Sequence, residues 1–128
     1  APRGLVLVVD DNHELRHTLR RRLARLGYAV VEAEGGEEAL ALVESLPELR
    51  ALVTDVVMPG MSGFRLAREA ARLRPDLGIV LMTGFDGADQ ADREGLSLPV
   101  LTKPFEPERL LQAIEGAAQG LEPTTRPA

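Results

Sequence analysis

Five short apolar runs occur along this chain, and each is followed by a segment with helical periodicity. Four of the runs are continuously apolar rather than alternating, which is typical of parallel strands covered by helices on both faces. Strand and helix alternating in this way predict an α/β domain built on a parallel sheet. The predicted strands are Leu5–Val9, Ala29–Ala33, Ala51–Thr54, Ile79–Thr83 and Pro99–Thr102.

The second run differs from the others because its side chains are short and Glu32 interrupts it. A strand of this kind suits the edge of a sheet. With that strand at an edge, we expect the doubly wound, flavodoxin-like order 2-1-3-4-5, with helices on both faces. Ligands of such folds bind beyond the carboxyl ends of the strands, between strands 1 and 3.

The helix boundaries follow from glycine and proline. Gly27 suits the position after the first helix, while Pro47 and Pro75 end the next two. Pro107 suits the first turn of the last helix. The weak segment is 84–97, where two glycines lie close together and small apolar residues are few. We expect a short, loosely held helix there.

The composition limits the class of protein. With 128 residues, 45% of them hydrophobic and 27% charged, the chain is expected to form one ordered domain over 1–120, with a flexible tail over 121–128. The net charge of −5 argues against direct binding of nucleic acid. No apolar run approaches the ~20 residues of a membrane span. The absence of cysteine fits a cytoplasmic location.

Polar residues end or follow four of the five predicted strands. Because the carboxyl ends of parallel strands meet at one edge of a sheet, we expect these side chains to lie together. Clustered carboxylates repel one another, and a divalent cation relieves the repulsion. Oxygen ligands without His or Cys favour a hard ion such as Mg²⁺. The residues are Asp10, Asp11, Asp55, Thr83 and Lys103.

Each of these residues also has a simpler interpretation. An Asp-Asp pair at a strand end is more often a turn or a helix N-cap, and a single Thr or Lys is more often a cap or a solvated side chain. Their common position at strand ends favours a site. His13 and His17 have a metal-binding spacing, yet no third ligand is in view, so we interpret them as solvated. We interpret the run "RHTLRRRLAR" (16–25) as a solvated helix flank.

The motifs "VVDDN", "LVTDVVMPGMSGF", "LMTGF" and "LTKPF" occur in this order along the chain. Together they resemble the motifs of response-regulator receiver domains, and the resemblance extends to about residue 118. It implies a phosphoacceptor domain of two-component signalling. It further implies that Asp55 accepts the phosphoryl group, that the Thr83 hydroxyl and the Lys103 ammonium contact that group, and that Lys103-Pro104 is a cis peptide.

The resemblance also implies a magnesium site. Asp11 and Asp55 would ligate Mg²⁺, Asp10 would act mainly through bound water, and the backbone carbonyl of Val57 would complete the protein ligands. The glycines of "MPGMSG" would shape the loop beside the acceptor. Pro59 and Gly60 suit a tight turn, and Gly63 is expected to adopt a backbone geometry that other residues resist.

One departure from the receiver pattern bears on partners. Val100 stands where receivers usually carry an aromatic residue that reports phosphorylation. The expected phosphodonor is a histidine kinase or a histidine phosphotransfer domain, with no direct membrane contact. Val100, the "LPVLTKPF" segment and the missing output domain favour the C-terminal receiver of a hybrid sensor histidine kinase over a separate response regulator. The pattern specifies neither the cognate kinase nor the oligomeric state.

The alternative is a Mg²⁺-dependent phosphohydrolase that forms an aspartyl phosphate. Such enzymes use a second aspartate two residues after the nucleophile as general acid. That position is Val57 after Asp55 and Asn12 after Asp10, so turnover is not expected and the domain would be a phosphoacceptor. A flavodoxin-like cofactor binder would need a loop that attracts phosphate, whereas "DDNHE" is anionic.

Overall fold

The computed structural model describes residues 3–84, 95 and 98–118. It contains a parallel sheet of five strands in the order β2-β1-β3-β4-β5, so the predicted order and edge strand are confirmed. The strands are β1 (Gly4–Val9), β2 (Tyr28–Ala33), β3 (Leu49–Asp55), β4 (Gly78–Thr83) and β5 (Val100–Thr102). The helices are α1 (His13–Arg25), α2 (Gly36–Ser45), α3 (Gly63–Leu73) and α4 (Pro107–Ala118).

Helices cover both faces of the sheet, and the alternation of side chains along each strand divides the core in two. Leu7 and Leu52 face α2 and α3, whereas Val6 and Val53 face α1 and α4. All four side chains are fully buried. The predicted helix over 84–97 falls mainly on residues outside the described part of the chain, as does the predicted tail over 121–128.

The residues that flank α1 explain where the helix begins and ends. The Asn12 side chain accepts a hydrogen bond from the Leu15 amide at 3.0 Å, so Asn12 is the N-cap. This rules out the simpler interpretation of the aspartate pair as the helix cap. Gly27 follows the helix with φ +101°, a conformation that favours glycine, as predicted.

A polar network lies at the end of the sheet where the strands begin. The Tyr28 hydroxyl donates a hydrogen bond to Glu115 of α4. The Glu115 carboxylate also lies 3.8 Å from both the Arg3 and the Arg50 guanidinium groups. Burial and the neighbouring Glu115 carboxylate raise the pKa of Tyr28 above its ordinary value. The network therefore ties α4 to the first residues of β1, β2 and β3.

Candidate functional site

Three carboxylates meet at the opposite end of the sheet, where the strands finish. One oxygen each from Asp10, Asp11 and Asp55 lies within 4.8 Å of the others. Asp10 and Asp11 follow β1, and Asp55 ends β3, so the neighbouring positions of these two strands bring the side chains together. Among the residues that the structure describes, these three aspartates form the group able to hold a metal ion.

Asp10 is the most enclosed of the three, at 1% exposure. Its Oδ1 accepts a hydrogen bond from the Asn12 amide at 2.9 Å. Its Oδ2 is buried and has no hydrogen-bond partner within the described part of the chain. The Lys103 ammonium lies 3.5 Å from that oxygen as an ion-pair partner. A buried carboxylate oxygen without a hydrogen bond is costly in a folded protein, and a bound cation would satisfy it.

Asp55 stands at the end of β3 and is 9% exposed. Its Oδ1 accepts hydrogen bonds from the Val56 amide at 3.0 Å and from Lys103 Nζ at 3.4 Å. Burial raises the pKa of Asp55, Lys103 opposes this increase, and the charge of Asp10 adds to it. The net result is a pKa above the ordinary value, because removal from water disfavours the charged form.

We expect Asp55→Asn to raise the free energy of unfolding at pH 7, without Mg²⁺, by about 1 kcal/mol. A carboxyl group whose pKa is raised by folding stabilises the protein at pH values below its unfolded pKa, and this stabilisation is lost as the pH rises through the folded pKa. At pH 7 the buried charge therefore opposes folding, and asparagine removes it. Urea unfolding measures the difference. Asp76→Asn, at an exposed carboxylate paired with Arg74, is the control and should give no gain.

Lys103 and Thr83 lie at the ends of β5 and β4. The Lys103 amide donates a hydrogen bond to the Thr83 carbonyl at 2.8 Å, which fixes the backbone of the lysine beside β4. Thr83 is buried. The Lys103-Pro104 peptide bond is cis, as the resemblance implied. The Lys103 ammonium lies between Asp10 Oδ2 and Asp55 Oδ1, at 3.5 and 3.4 Å.

The loop after β3 is held by two backbone hydrogen bonds. The Val56 amide donates to the Met82 carbonyl of β4 at 3.0 Å, and the Gly63 amide donates to the Val56 carbonyl at 2.8 Å. A Cβ at Gly63 would lie 2.1 Å from the Asp55 carbonyl oxygen. Gly63 does not have a positive φ, so the expectation of an unusual backbone geometry is wrong. The glycine is required instead because the backbone of β3 approaches it so closely. Positive φ occurs instead at Gly60, at +79°.

Val57 lies in the same loop, and its side chain is 74% exposed. The residue two positions after Asp55 is therefore an apolar group facing solvent beside the carboxylates. That the backbone carbonyl of Val57 ligates Mg²⁺ stays a prediction. Val100, at the usual aromatic position, is half-buried against the core on the α2 and α3 face.

Arg16 is the residue that the sequence interpretation missed. It begins the run interpreted as a solvated helix flank, yet it is only 6% exposed, so that interpretation is wrong for this residue. Its Nη1 donates to the Asp10 carbonyl at 2.8 Å, and its Nε donates to Glu32 Oε1 at 2.8 Å. Arg20 donates to Glu32 Oε2 at 3.0 Å. The sequence feature that could have indicated this contact is Glu32, a polar residue on an otherwise apolar edge strand.

The two histidines of α1 are exposed, and their rings are stacked with centroids 6.3 Å apart. His13 Nδ1 lies 3.0 Å from Arg16 Nη2. Because an arginine nitrogen can only donate, His13 Nδ1 is the acceptor in this contact. Glu32 is desolvated, which raises its pKa, yet hydrogen bonds from Arg20 and Arg16 outweigh this effect and lower the pKa overall.

The donor set fits Mg²⁺. Carboxylate oxygens are the ligands that this ion prefers, and three of them converge with no histidine or cysteine in the group. Within the part of the chain that the structure describes, Asp10 Oδ2 is buried without a hydrogen bond, as expected of an oxygen that faces an ion or its water. Separately, none of the helices described has the length and apolar character needed to cross a bilayer.

Comparison with known proteins gives consistent matches. The family model described as "Response regulator receiver domain" matches residues 6–115. The response regulator receiver protein CpdR of Brucella abortus is 35% identical over 115 residues, which cover 86% of this chain and 92% of that protein. The DNA-binding transcriptional regulator NtrC of Salmonella typhimurium is 33% identical over 129 residues, 98% of this chain but 27% of that protein.

A solved structure agrees with these matches. The response regulator receiver domain protein from Clostridium thermocellum superposes with a TM-score of 0.81 and 28% identity, over 91% of this chain and 95% of that one. The chain thus spans nearly all of one curated relative, CpdR, and about a quarter of another, NtrC.

Proposed function

Because this chain belongs to the response regulator receiver domain family, we propose that Asp55 is the residue that accepts the phosphoryl group. The chain is a receiver, the phosphoacceptor domain of two-component signalling. Receivers generally bind Mg²⁺ at an acidic pocket, and Asp10, Asp11 and Asp55 form such a cluster here. We propose both the identity of the acceptor and the roles of the residues around it.

One observation carries the choice of Asp55. Asp55 is the aspartate that ends a central strand, and the Lys103 ammonium lies 3.4 Å from its carboxylate. Lys103 would therefore neutralise part of the negative charge of a phosphoryl group on Asp55. Asp10 Oδ1 is engaged by the Asn12 amide, and its Oδ2 is fully enclosed. Asp11 is exposed and follows the strand rather than ending it. Asp55 combines partial access with a fixed position, which a nucleophile needs.

In the proposed reaction an oxygen of the Asp55 carboxylate attacks phosphorus. The new O–P bond forms as the bond from phosphorus to the donor's imidazole nitrogen breaks, and that nitrogen keeps the electron pair. Lys103 compensates the negative charge of the incoming phosphoryl group, and the Thr83 hydroxyl donates a hydrogen bond to one of its oxygens. Asp10, Asp11, Asp55 and the Val57 carbonyl would hold Mg²⁺, which supplies further charge neutralisation when bound.

The proposed phosphodonor is a phosphohistidine of a histidine kinase or a histidine phosphotransfer domain. NtrC is described as DNA-binding, but this chain matches only 27% of that protein, so we propose no direct nucleic-acid contact for the receiver itself. We also propose a cytoplasmic location without direct membrane contact. The hybrid kinase context stays a prediction.

The test is incubation of the protein with acetyl phosphate and MgCl₂, followed by intact mass measurement. We expect one phosphoryl adduct per chain, lost in Asp55→Asn and retained in Asp76→Asn, which alters an exposed carboxylate elsewhere. Release of inorganic phosphate at a steady rate without an adduct would instead support the phosphohydrolase and overturn the proposal. An adduct that persists in Asp55→Asn would show that another residue is the acceptor.

A further inference from the structure

Arg16 is a buried arginine that touches the aspartate cluster through the backbone. Its guanidinium group donates to three different partners: the Asp10 carbonyl at 2.8 Å, Glu32 Oε1 at 2.8 Å and His13 Nδ1 at 3.0 Å. Burying a guanidinium group is costly unless its donors are satisfied. The phosphoryl chemistry proposed above makes no use of Arg16, so the reason for its burial lies elsewhere.

The contact with the Asp10 carbonyl completes a set of restraints on one residue. The Asp10 amide donates to the Ala33 carbonyl of β2 at 3.2 Å, and Asp10 Oδ1 accepts from the Asn12 amide. With its carbonyl held by Arg16, every polar group of Asp10 except Oδ2 has a hydrogen-bond partner. Among the described residues Oδ2 has no such partner, and it lies buried in the cluster of carboxylates.

The same carbonyl belongs to the peptide that joins Asp10 to Asp11. Because a peptide unit is planar, a hydrogen bond that fixes its carbonyl also fixes the direction in which the chain leaves towards Asp11. Arg16 thus sets the relative orientation of two carboxylates that repel each other. Glu32 lies on the edge strand β2 and pairs with both Arg16 and Arg20. Its carboxylate therefore orients the guanidinium group of Arg16.

We propose that Arg16 is a positioning residue for the magnesium site: anchored by Glu32 on β2, it holds the Asp10–Asp11 peptide so that both carboxylates face the ion. The inference rests on the proposed function, since it takes the aspartate cluster as the place where Mg²⁺ binds. Removal of a residue that does not bind the metal itself but hydrogen-bonds to a metal ligand commonly lowers metal affinity by ~10–100-fold.

The test compares Arg16→Lys with Arg20→Lys. Both variants keep the positive charge next to Glu32, but only Arg16 reaches the Asp10 carbonyl, and lysine lacks the planar fork needed for three directed hydrogen bonds. Calorimetric titration with MgCl₂ alone, at constant ionic strength, measures the dissociation constant. We expect it to rise about tenfold in Arg16→Lys, and to stay within about twofold of the wild type in Arg20→Lys.

Urea unfolding of the same variants separates positioning from a merely structural role. An unchanged dissociation constant in folded Arg16→Lys, whatever its loss of stability, would overturn the inference while leaving the Asp55 proposal intact. If Arg16→Lys does not fold, Glu32→Gln decides: a raised dissociation constant supports the inference and an unchanged one overturns it. Failure of the wild type to bind Mg²⁺ would overturn this inference together with the proposed magnesium site.

Discussion

Gly63→Ala is expected to lower the free energy of unfolding by about 3 kcal/mol and to abolish the phosphoryl adduct on Asp55. The added Cβ would lie 2.1 Å from the Asp55 carbonyl oxygen and 2.7 Å from Val56 Cα. Both are backbone atoms, so no side-chain rotation relieves the overlap. Either α3 moves away from β3 or the end of β3 shifts, and the second change displaces the acceptor carboxylate. Urea unfolding and intact mass after acetyl phosphate treatment measure the two effects.

Two other glycines are matched controls for this substitution. Among the described residues nothing lies within 4 Å of a Cβ built at Gly84, and its φ is not positive, so Gly84→Ala should cost less than about 0.5 kcal/mol. Gly60→Ala also has open space but a positive φ, and we expect a cost of about 1 kcal/mol from backbone strain alone. A Gly63→Ala protein as stable as Gly84→Ala would contradict the close approach of α3 to the acceptor strand.

Lys103→Met is expected to change metal binding and phosphorylation in opposite directions. The Lys103 ammonium lies 3.5 Å from Asp10 Oδ2 and 3.4 Å from Asp55 Oδ1, so it repels a cation that approaches the same carboxylates. Its removal should tighten Mg²⁺ binding by about tenfold. The incoming phosphoryl group, however, loses a positive partner, and the rate of adduct formation should fall by about 10²–10³.

Calorimetry with MgCl₂ and timed mass measurement with acetyl phosphate test this prediction. Lys103→Arg keeps the positive charge, so its magnesium affinity should remain near that of the wild type. Without metal, Lys103→Met should also be less stable than the wild type, because two buried carboxylates lose their counter-charge. Excess Mg²⁺ should reverse this loss, since a ligand that binds the folded state stabilises it. Magnesium affinity and phosphorylation falling together would contradict the prediction.

Most of the architecture could be predicted because it depends on patterns that the chain carries locally. Continuous apolar runs indicate buried parallel strands, and the single run with a polar interruption indicated the edge. Strand β2 is indeed at the edge. Glycine and proline marked the helix ends because glycine readily adopts the positive φ that often follows a helix, and proline cannot continue one. Strand order then brought the three aspartates to one end of the sheet.

The features that could not be predicted depend on which atoms come close to one another in the folded protein. The composition of the run at 16–25 indicated a solvated helix flank, but the arginine facing β2 is buried because Glu32 and the Asp10 carbonyl receive its donors. Gly63 was recognised as special, yet a sequence does not distinguish a glycine needed for its dihedral angles from one needed for space. The simpler interpretation of the aspartate pair included a helix N-cap, whereas Asn12 is the N-cap of α1.

The network of Tyr28, Glu115, Arg3 and Arg50 has a consequence for the positions of the first and last described segments. Glu115 lies near the end of α4, and Arg3 immediately precedes β1, so the first and last described segments are tied together at the end of the sheet away from Asp55. The described backbone therefore begins and ends near the end of the sheet opposite Asp55, and the end that carries the acceptor is clear of both.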